Sequence, residues 1–513
     1  DCILETTSSL ASPGHAATLV PGWGLFQRDQ GGSVASINVN EQEFRSAQFA
    51  RLSQDQARKI HWASLEILER FGAKLHHAEA IDLLKKGGAD VSDGNTVRIP
   101  SGMVEKAFSS VPKRVVLYDR NGEPAMPLEG SRCFYGPGSD CMNIIDHRNG
   151  ERRKPVLQDV VEGTTVCDAL PDIDFVMSMV LPSNVDQATA DVYQMEAMLA
   201  HTTKPIIAVS YELRGLVAAV EMAEAVMGSP DALRRTPLLT CYINVVSGVN
   251  HNQEALQKLL YLSGKGLPAL YIPASTGGVT SPMTPAGAVA LDNAGVLLGL
   301  VLSQLNREGA PYIMTGMQPS PMDMRTMVTP YADPERGIFQ AMARTYNLPA
   351  FGWGGISDSK VVDQQAAAEA ALTLLAESLV GGNIIHDLGY LESGLTFSFV
   401  QLAICEEMIG WIEAFLKGVE VSEETLALDV IAQAGSEGHY LNKEHTRQHF
   451  REMWYPRLLD RNDYKTWKGK GSKTLDQRAA ERVEEILAEH QPEPLPGDVK
   501  ERLRTIAERA ESQ

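Results

Sequence analysis

The chain has 513 residues, of which 44% are hydrophobic and 22% charged, and a formal net charge of −19. That length and apolar fraction support a large buried core and more than one simple domain. The negative charge repels nucleic acid and anionic membranes at long range and argues against both as partners.

No stretch approaches the roughly 20 uninterrupted apolar residues that a membrane-spanning helix needs, and the N-terminus lacks the basic-then-apolar pattern of a secretory signal. A cytoplasmic location is the default expectation. Six cysteines, Cys2, Cys133, Cys141, Cys167, Cys241 and Cys405, are scattered without CxxC spacing. They read as reduced, mostly buried thiols. Cys133 and Cys141 with His147 fit no zinc spacing, so no metal site is expected.

Residues 1–40 are rich in Gly, Ser and Ala and read as a weakly structured leader without a function. Residues 41–130 read as an N-terminal helical cap with a small β element. Helical patterns cover 54–71, 77–86 and 101–110, and Asp93-Gly94 marks a turn between the last two. From about residue 131 to 418 a rhythm sets in of a short apolar run, a Gly- or Ser-bearing loop and an amphipathic helix. The runs are 174–182, 205–211, 237–248, 268–276, 311–319, 349–356 and 383–390, with an eighth at 133–141 or 115–120. They lack alternation, as strands buried on both faces do. Helices fill the gaps at 186–200, 213–227, 252–263, 285–306, 334–346, 363–379 and 396–416. Eight parallel strands alternating with helices make an α/β fold of the TIM (β/α)8 barrel type. A doubly wound sheet is the alternative, but its phosphate-binding glycine fingerprint is missing. Residues 419–513 form a C-terminal helical extension whose charged helices, 476–489 and 498–511, wrap the barrel or pair with another subunit.

In such a barrel the chemistry lies at the C-terminal ends of the strands. The residues placed there are Tyr135, Ser139 and Asp140; Ser210 and Tyr211; Tyr242 and Asn244; Ser275 and Thr276; Thr315 and Gln318; Trp353 and Ile356; and His386, Tyr390 and Glu392. The set is rich in aromatic and amide groups and poor in the His/Asp/Glu clusters of a metal site. Aromatic faces converging on one mouth are what recognise a quaternary ammonium. A single strand tyrosine, however, more often packs than recognises. His386 is the one histidine at a strand end, suited either to a structural hydrogen bond or to donating to a substrate carboxylate. Glu392 reads equally as a functional anion or as a helix cap, and Asp363 as the N-cap of the helix that follows it.

Beyond these positions the chain resembles the MttB superfamily of corrinoid-dependent methyltransferases. The resemblance is carried by Ser357-Asp358, Lys360, Asp363, Gln365-Ala366 and Glu369, then by Gly389, Leu391-Glu392, Gly394 and Thr396-Phe397-Ser398. It continues through Gln401-Leu402, Thr425-Leu426-Ala427, Thr446-Arg447, Trp467 and Gly471-Ser472-Lys473, and covers about residue 45 to the C-terminus. Trimethylamine enzymes of this family carry pyrrolysine immediately before the Ser-Asp pair, where this chain has Ile356. Isoleucine forms no imine adduct, so the resemblance implies a non-pyrrolysine member acting on a quaternary amine. Glycine betaine is the first expectation, with proline betaine or carnitine as alternatives.

The resemblance further implies a methyl acceptor that is a corrinoid (cobalamin) carried by a cognate partner protein, with no permanently bound cofactor. A homo-oligomer is the expected assembly. Within the site, Ile356 is expected to line the methyl pocket beside Glu392 and Trp353 to face the ammonium. His386, Tyr390 and Asn244 would position the carboxylate or the methyls, with Tyr211 and Tyr135 nearby. A barrel that binds a small cation without turnover is the reading from a different class.

Overall fold

A computed structural model describes residues 49–512 apart from Gln318 and Glu437. The leader expected over 1–40 and the candidate Gln318 lie outside the described residues.

Seven strands form one parallel sheet: β1 (Phe134–Pro137), β3 (Ile206–Val209), β4 (Leu239–Val245), β5 (Ala269–Pro273), β6 (Tyr312–Thr315), β7 (Ala350–Trp353) and β8 (Ile384–Leu388). β8 pairs with β1, so the open edges are β1 and β3. Residues 174–180, the irregular β2, join those edges. Asp174 N–H donates to the Tyr135 carbonyl oxygen at 2.7 Å and Met179 N–H to that of Gly138 at 2.9 Å, while Ile207 N–H donates to that of Val176 at 3.0 Å. The ring therefore closes as an eight-stranded barrel. Of the two sequence candidates for the eighth strand, the run at 133–141 supplies it.

Helices follow every strand: α1 (Leu157–Ala169), α2 (Ala190–His201), α3 (Leu213–Met227), α4 (Gln253–Lys265), α5 (Pro285–Asn306), α6 (Ile338–Tyr346), α7 (Gln364–Val380) and α8 (Phe399–Leu416). Asp363 caps α7 as expected, its carboxylate accepting from Ala366 N–H at 2.9 Å. α5 is long and apolar enough to span a membrane, but it is buried within the fold between α4 and the cap helices. α1 was not expected, because LQDVVEGTTVCDA is full of β-branched residues that disfavour helix. It forms because Asp159 accepts from Val156 N–H at 2.7 Å and pairs with Arg153, while Val160, Val166 and Cys167 are buried.

The other run, 115–120, supplies strand Val115–Tyr118 of a hairpin with Pro124–Leu128. Val115, Leu117, Met126 and Leu128 pack against Phe134, Ile207, Leu270, Ile313, Phe351 and Ile384, which point into the lumen near the strand starts. The hairpin thus stops the N-terminal end of the barrel. Ahead of it, helix Gln54–Glu66 starts from a Ser53/Gln56 capping box and packs on α5. Strands Asp90–Asp93 and Thr96–Arg98 flank the expected Asp93-Gly94 turn. At the C-terminus, α9 (Leu475–Glu489) packs on α8 and α1, and α10 (Gly497–Glu511) on α3 and α2. Both long helices therefore wrap the barrel.

Candidate active site

Parity along each strand decides what enters the lumen. In β4, Cys241, Ile243 and Val245 are buried, whereas Tyr242 is half-buried and Asn244 exposed. Tyr242 and Asn244 therefore face a lumen that is open above the apolar plug. In β8, Ile384 belongs to the plug and His386, two residues on, packs against Phe351 with ring centroids 3.9 Å apart and the planes tilted by 34°. Tyr242 lies 6.2 Å from the same imidazole, and its hydroxyl reaches Met317 Sδ at 4.0 Å.

His386 is buried, and burial pushes its pKa down to about 3, so the ring is neutral at physiological pH. Its Nδ1–H donates to the Gly352 carbonyl oxygen at 2.6 Å, which leaves Nε2 as an acceptor 3.2 Å from Asp387 Oδ1. Asp387 is buried too, and burial raises its pKa to about 8 against the pull of Arg336, with Asp140 adding to the rise. At neutral pH it is mostly a neutral carboxylic acid standing beside that nitrogen. Asp387 has φ +74, which breaks the strand alternation and brings two consecutive side chains to the mouth.

Asp140, with φ +66, follows β1 and accepts from the Tyr211 hydroxyl and from Ser139 Oγ, each at 3.2 Å. Burial raises its pKa to about 6. Between the two acids lies Gly138. A Cβ there would come within 2.0 Å of Asp387 Oδ1 and 2.5 Å of the Tyr390 ring, so only glycine lets these groups meet. Tyr390 donates through a short hydrogen bond to the Ser139 carbonyl oxygen, which ties the β8 loop to the β1 loop.

Trp353 closes β7, and its indole already has two neighbours. Arg336 lies over the ring at 5.4 Å and Tyr331 packs at 4.9 Å. Arg336 is itself buried, donates to the carbonyl oxygens of Trp353 and Tyr331, and keeps an unpartnered Nε. Ile356 is fully buried within the main core, just past Gly355 (φ +69), which supplies the turn.

Other candidates lie elsewhere. Tyr135 points outward, its hydroxyl 2.8 Å from Ser378 Oγ on α7, and so is not brought to the mouth. Its neighbour Phe134 takes the lumen side. Glu392 sits on the rim with its side chain a quarter exposed and its carboxylate bound to Arg152 and Thr396. Burial opposes its charge, but those hydrogen bonds hold the carboxyl below its ordinary range. Among the described residues no group of three or more His, Cys, Asp or Glu is arranged to hold a metal.

Arg336, Asp387 and Tyr331 were missed by the sequence reading. Arg336 and Tyr331 lie in the β6–α6 loop; the sequence reading gave Arg336 to a helix over 334–346 that starts only at Ile338, and Asp387 was hidden by the parity rule. The arrangement as a whole is a well with an apolar floor, a neutral imidazole, two carboxyls of raised pKa and aromatic walls. Such a well suits a small organic cation.

Residues 27–513 match the family described as trimethylamine methyltransferase (MTTB). A protein named trimethylamine methyltransferase MttB from Desulfitobacterium hafniense (strain DSM 10664 / DCB-2) is 35% identical over 90% of this chain and 94% of its own length. A glycine betaine methyltransferase from D. hafniense (strain Y51) is 29% identical over 89% of this chain and 96% of its own. Trimethylamine methyltransferase MttB of Methanosarcina barkeri is 29% identical over 89% and 94%.

Proposed function

The chain belongs to the trimethylamine methyltransferase (MTTB) family, and on that premise we propose that it moves a methyl group from glycine betaine to a corrinoid carried by a separate protein, releasing dimethylglycine. The corrinoid, as methyl acceptor, supplies the nucleophile for an in-line displacement. The chain's residues have to hold the methyl in line and manage the charge on nitrogen.

The observation that carries the choice of a quaternary amine is Ile356, an apolar, fully buried residue immediately before Ser357-Asp358. A quaternary ammonium already carries the charge that lets a neutral tertiary amine leave. It needs no covalent trap and no protonating acid beside its methyl groups.

The charge inventory supports the same reading. Asp140 and Asp387 supply the counter-charge for the ammonium, with Tyr211 and Tyr242 as aromatic neighbours. The Asn244 amide and the unpartnered Nε of Arg336 supply donors for the substrate carboxylate. Trp353, already covered by Arg336, serves as a wall rather than as the ammonium face. Positive charge leaves nitrogen in the transition state, so a fixed anion would hold the ground state back. Asp387 can take a proton from solvent once the product is neutral, which removes that anion before release. Glu392 fastens the rim loop through Arg152.

The mouth also suits a protein-borne acceptor. Met142, Val246, Val279, Met283, Met324 and Leu395, from five different strand-to-helix loops, are exposed around it. An adaptable, Met-rich apolar rim is suited to a docking surface.

The test is to incubate the protein with reduced cobalamin, or with its corrinoid protein, and glycine betaine. Conversion of the cobalt(I) spectrum to methyl-cobalt(III) is expected, and no conversion with any quaternary amine sinks the reading. A panel with proline betaine, carnitine and trimethylamine decides the substrate, since a ring or hydroxylated tail changes only pocket volume and one hydrogen bond. Saturable betaine binding without cobalt methylation would instead make the barrel a binding protein.

A further inference from the structure

Between α8 and α9 the chain leaves the barrel as an arm of four short helices, Glu423–Leu426, Leu428–Ala434, Glu444–His449 and Tyr464–Gly469. None of the four contains a buried residue. Helices of four to seven residues do not hold themselves in water, so their apolar side must be covered. That side is large. Val419 is 79% exposed, Val421 72%, Leu428 67% and Leu441 86%. At the root of the arm, Trp411 and Phe415 stack with centroids 5.5 Å apart on an exposed face of α8.

We propose that the arm, residues 417–470, together with Trp411 and Phe415, is the surface through which two copies of this chain associate, each arm lying along the other.

Three observations select a second copy. The first is position. α8 starts next to the mouth and runs down the barrel, so the arm springs from the N-terminal side. On its return, Arg457 pairs with Glu406 and with Asp172, which stands at the start of β2 on that same side. A methyl acceptor working at the mouth has no reason to cover this face.

The second is charge. Residues 417–437 carry five acidic groups against one basic, whereas 438–470 carry eight basic against four acidic. The arm is therefore acidic in its first half and basic in its second. A two-fold axis between two arms sets each acidic half against the other copy's basic half, the self-complementarity that an isologous interface requires.

The third is area. Phe415, Phe450, Tyr455 and Tyr464 are each about half exposed or more. At roughly 150–250 Å² per aromatic ring they alone offer on the order of 400 Å², about half of what one partner contributes to a standard interface. The exposed aliphatic residues supply the remainder. A surface this apolar on a segment without its own core suits a permanent partner made with the chain rather than a visiting one.

Sedimentation velocity on the full-length protein tests the proposal. The wild type should be dimeric or larger at micromolar concentration, and Leu428→Asp with Leu441→Asp should weaken association on the order of 100-fold while barrel melting is unchanged. Glu423→Lys with Glu424→Lys, and Arg447→Glu with Arg451→Glu, should each dissociate the protein. Mixing those two variant proteins should restore the dimer, a rescue that only contact between chains produces. A monomeric wild type, association that survives the leucine changes, or mixing without rescue overturns the proposal. So does an arm whose amides gain hydrogen-exchange protection only after a methyl-accepting protein is added.

Discussion

Asp387→Asn keeps the shape of the side chain beside His386 and removes its ability to become an anion. A quaternary nitrogen shielded by its methyls stands about 5 Å from a carboxylate, where an effective dielectric near 20 gives roughly 3 kcal/mol of attraction. That is on the order of 100-fold in Kd. Part of it is spent on ionising the acid. With the pKa held at about 8, ionisation at pH 7 costs roughly 1.4 kcal/mol and at pH 9 almost nothing. The wild type should therefore bind glycine betaine about 10-fold more tightly at pH 9 than at pH 7, with Asp140 largely ionised at both.

Asp387→Asn should remove that dependence, weakening binding on the order of 10-fold at pH 7 and 100-fold at pH 9. Isothermal titration calorimetry in two buffers of different ionisation enthalpy measures both the Kd and the proton released when the cation binds. An equal loss at the two pH values would point to shape alone. No loss at either would remove Asp387 from the binding site.

Gly138→Ala places a Cβ within 2.0 Å of Asp387 Oδ1. It should cost about 1–3 kcal/mol in denaturant stability and lose methyl transfer, and a fully active, equally stable variant would show that the loop yields freely. On the proposed function Ile356 borders the methyl pocket, so Ile356→Lys should raise the Kd for glycine betaine strongly, while unchanged binding by a folded variant would mean that this core residue faces elsewhere. Arg152→Ala and Glu392→Gln remove a part-exposed ion pair worth about 1 kcal/mol or less. Both should leave kcat nearly unchanged, so a large fall in kcat confined to Glu392→Gln would make that carboxylate catalytic. Stability should also depend on pH. Burial raises the carboxyls of Asp387, Glu377 and Glu413 each to about 8. The native state therefore keeps protons that the unfolded chain has lost, and stability falls as pH rises from roughly 4 to 8. Thermal melting should be lower at pH 8.5 than at pH 5.5, and a flat or rising trend contradicts the burial argument.

The barrel was legible because each unit repeats one local pattern. An apolar run, a breaker and an amphipathic helix are written within some 40 residues, and the ends of α3 and α5 fall where the sequence places them. α1 was illegible because its stability comes from the Arg153–Asp159 clamp and from burial, against its own β-branched residues. The site was harder to read, since function depends on which way a side chain turns. Tyr135 and Phe134 differ only by parity, and it is Phe134 that enters the lumen. His386 and Asp387 both reach the mouth because one residue adopts a positive φ. Arg336 comes to Trp353 from the neighbouring β6–α6 loop, through a side-chain contact that no local pattern encodes.

The hairpin at Val115–Leu128 makes the barrel a dead end. On the proposed function, a bulky acceptor seated on the rim would cap the opening that the described residues leave, so amine and acceptor could not come and go independently. The amine would then have to arrive first, and the demethylated product would stay trapped until the acceptor departs. Turnover on that reading would be an ordered cycle, in which excess acceptor protein would slow the reaction by covering wells that are still empty.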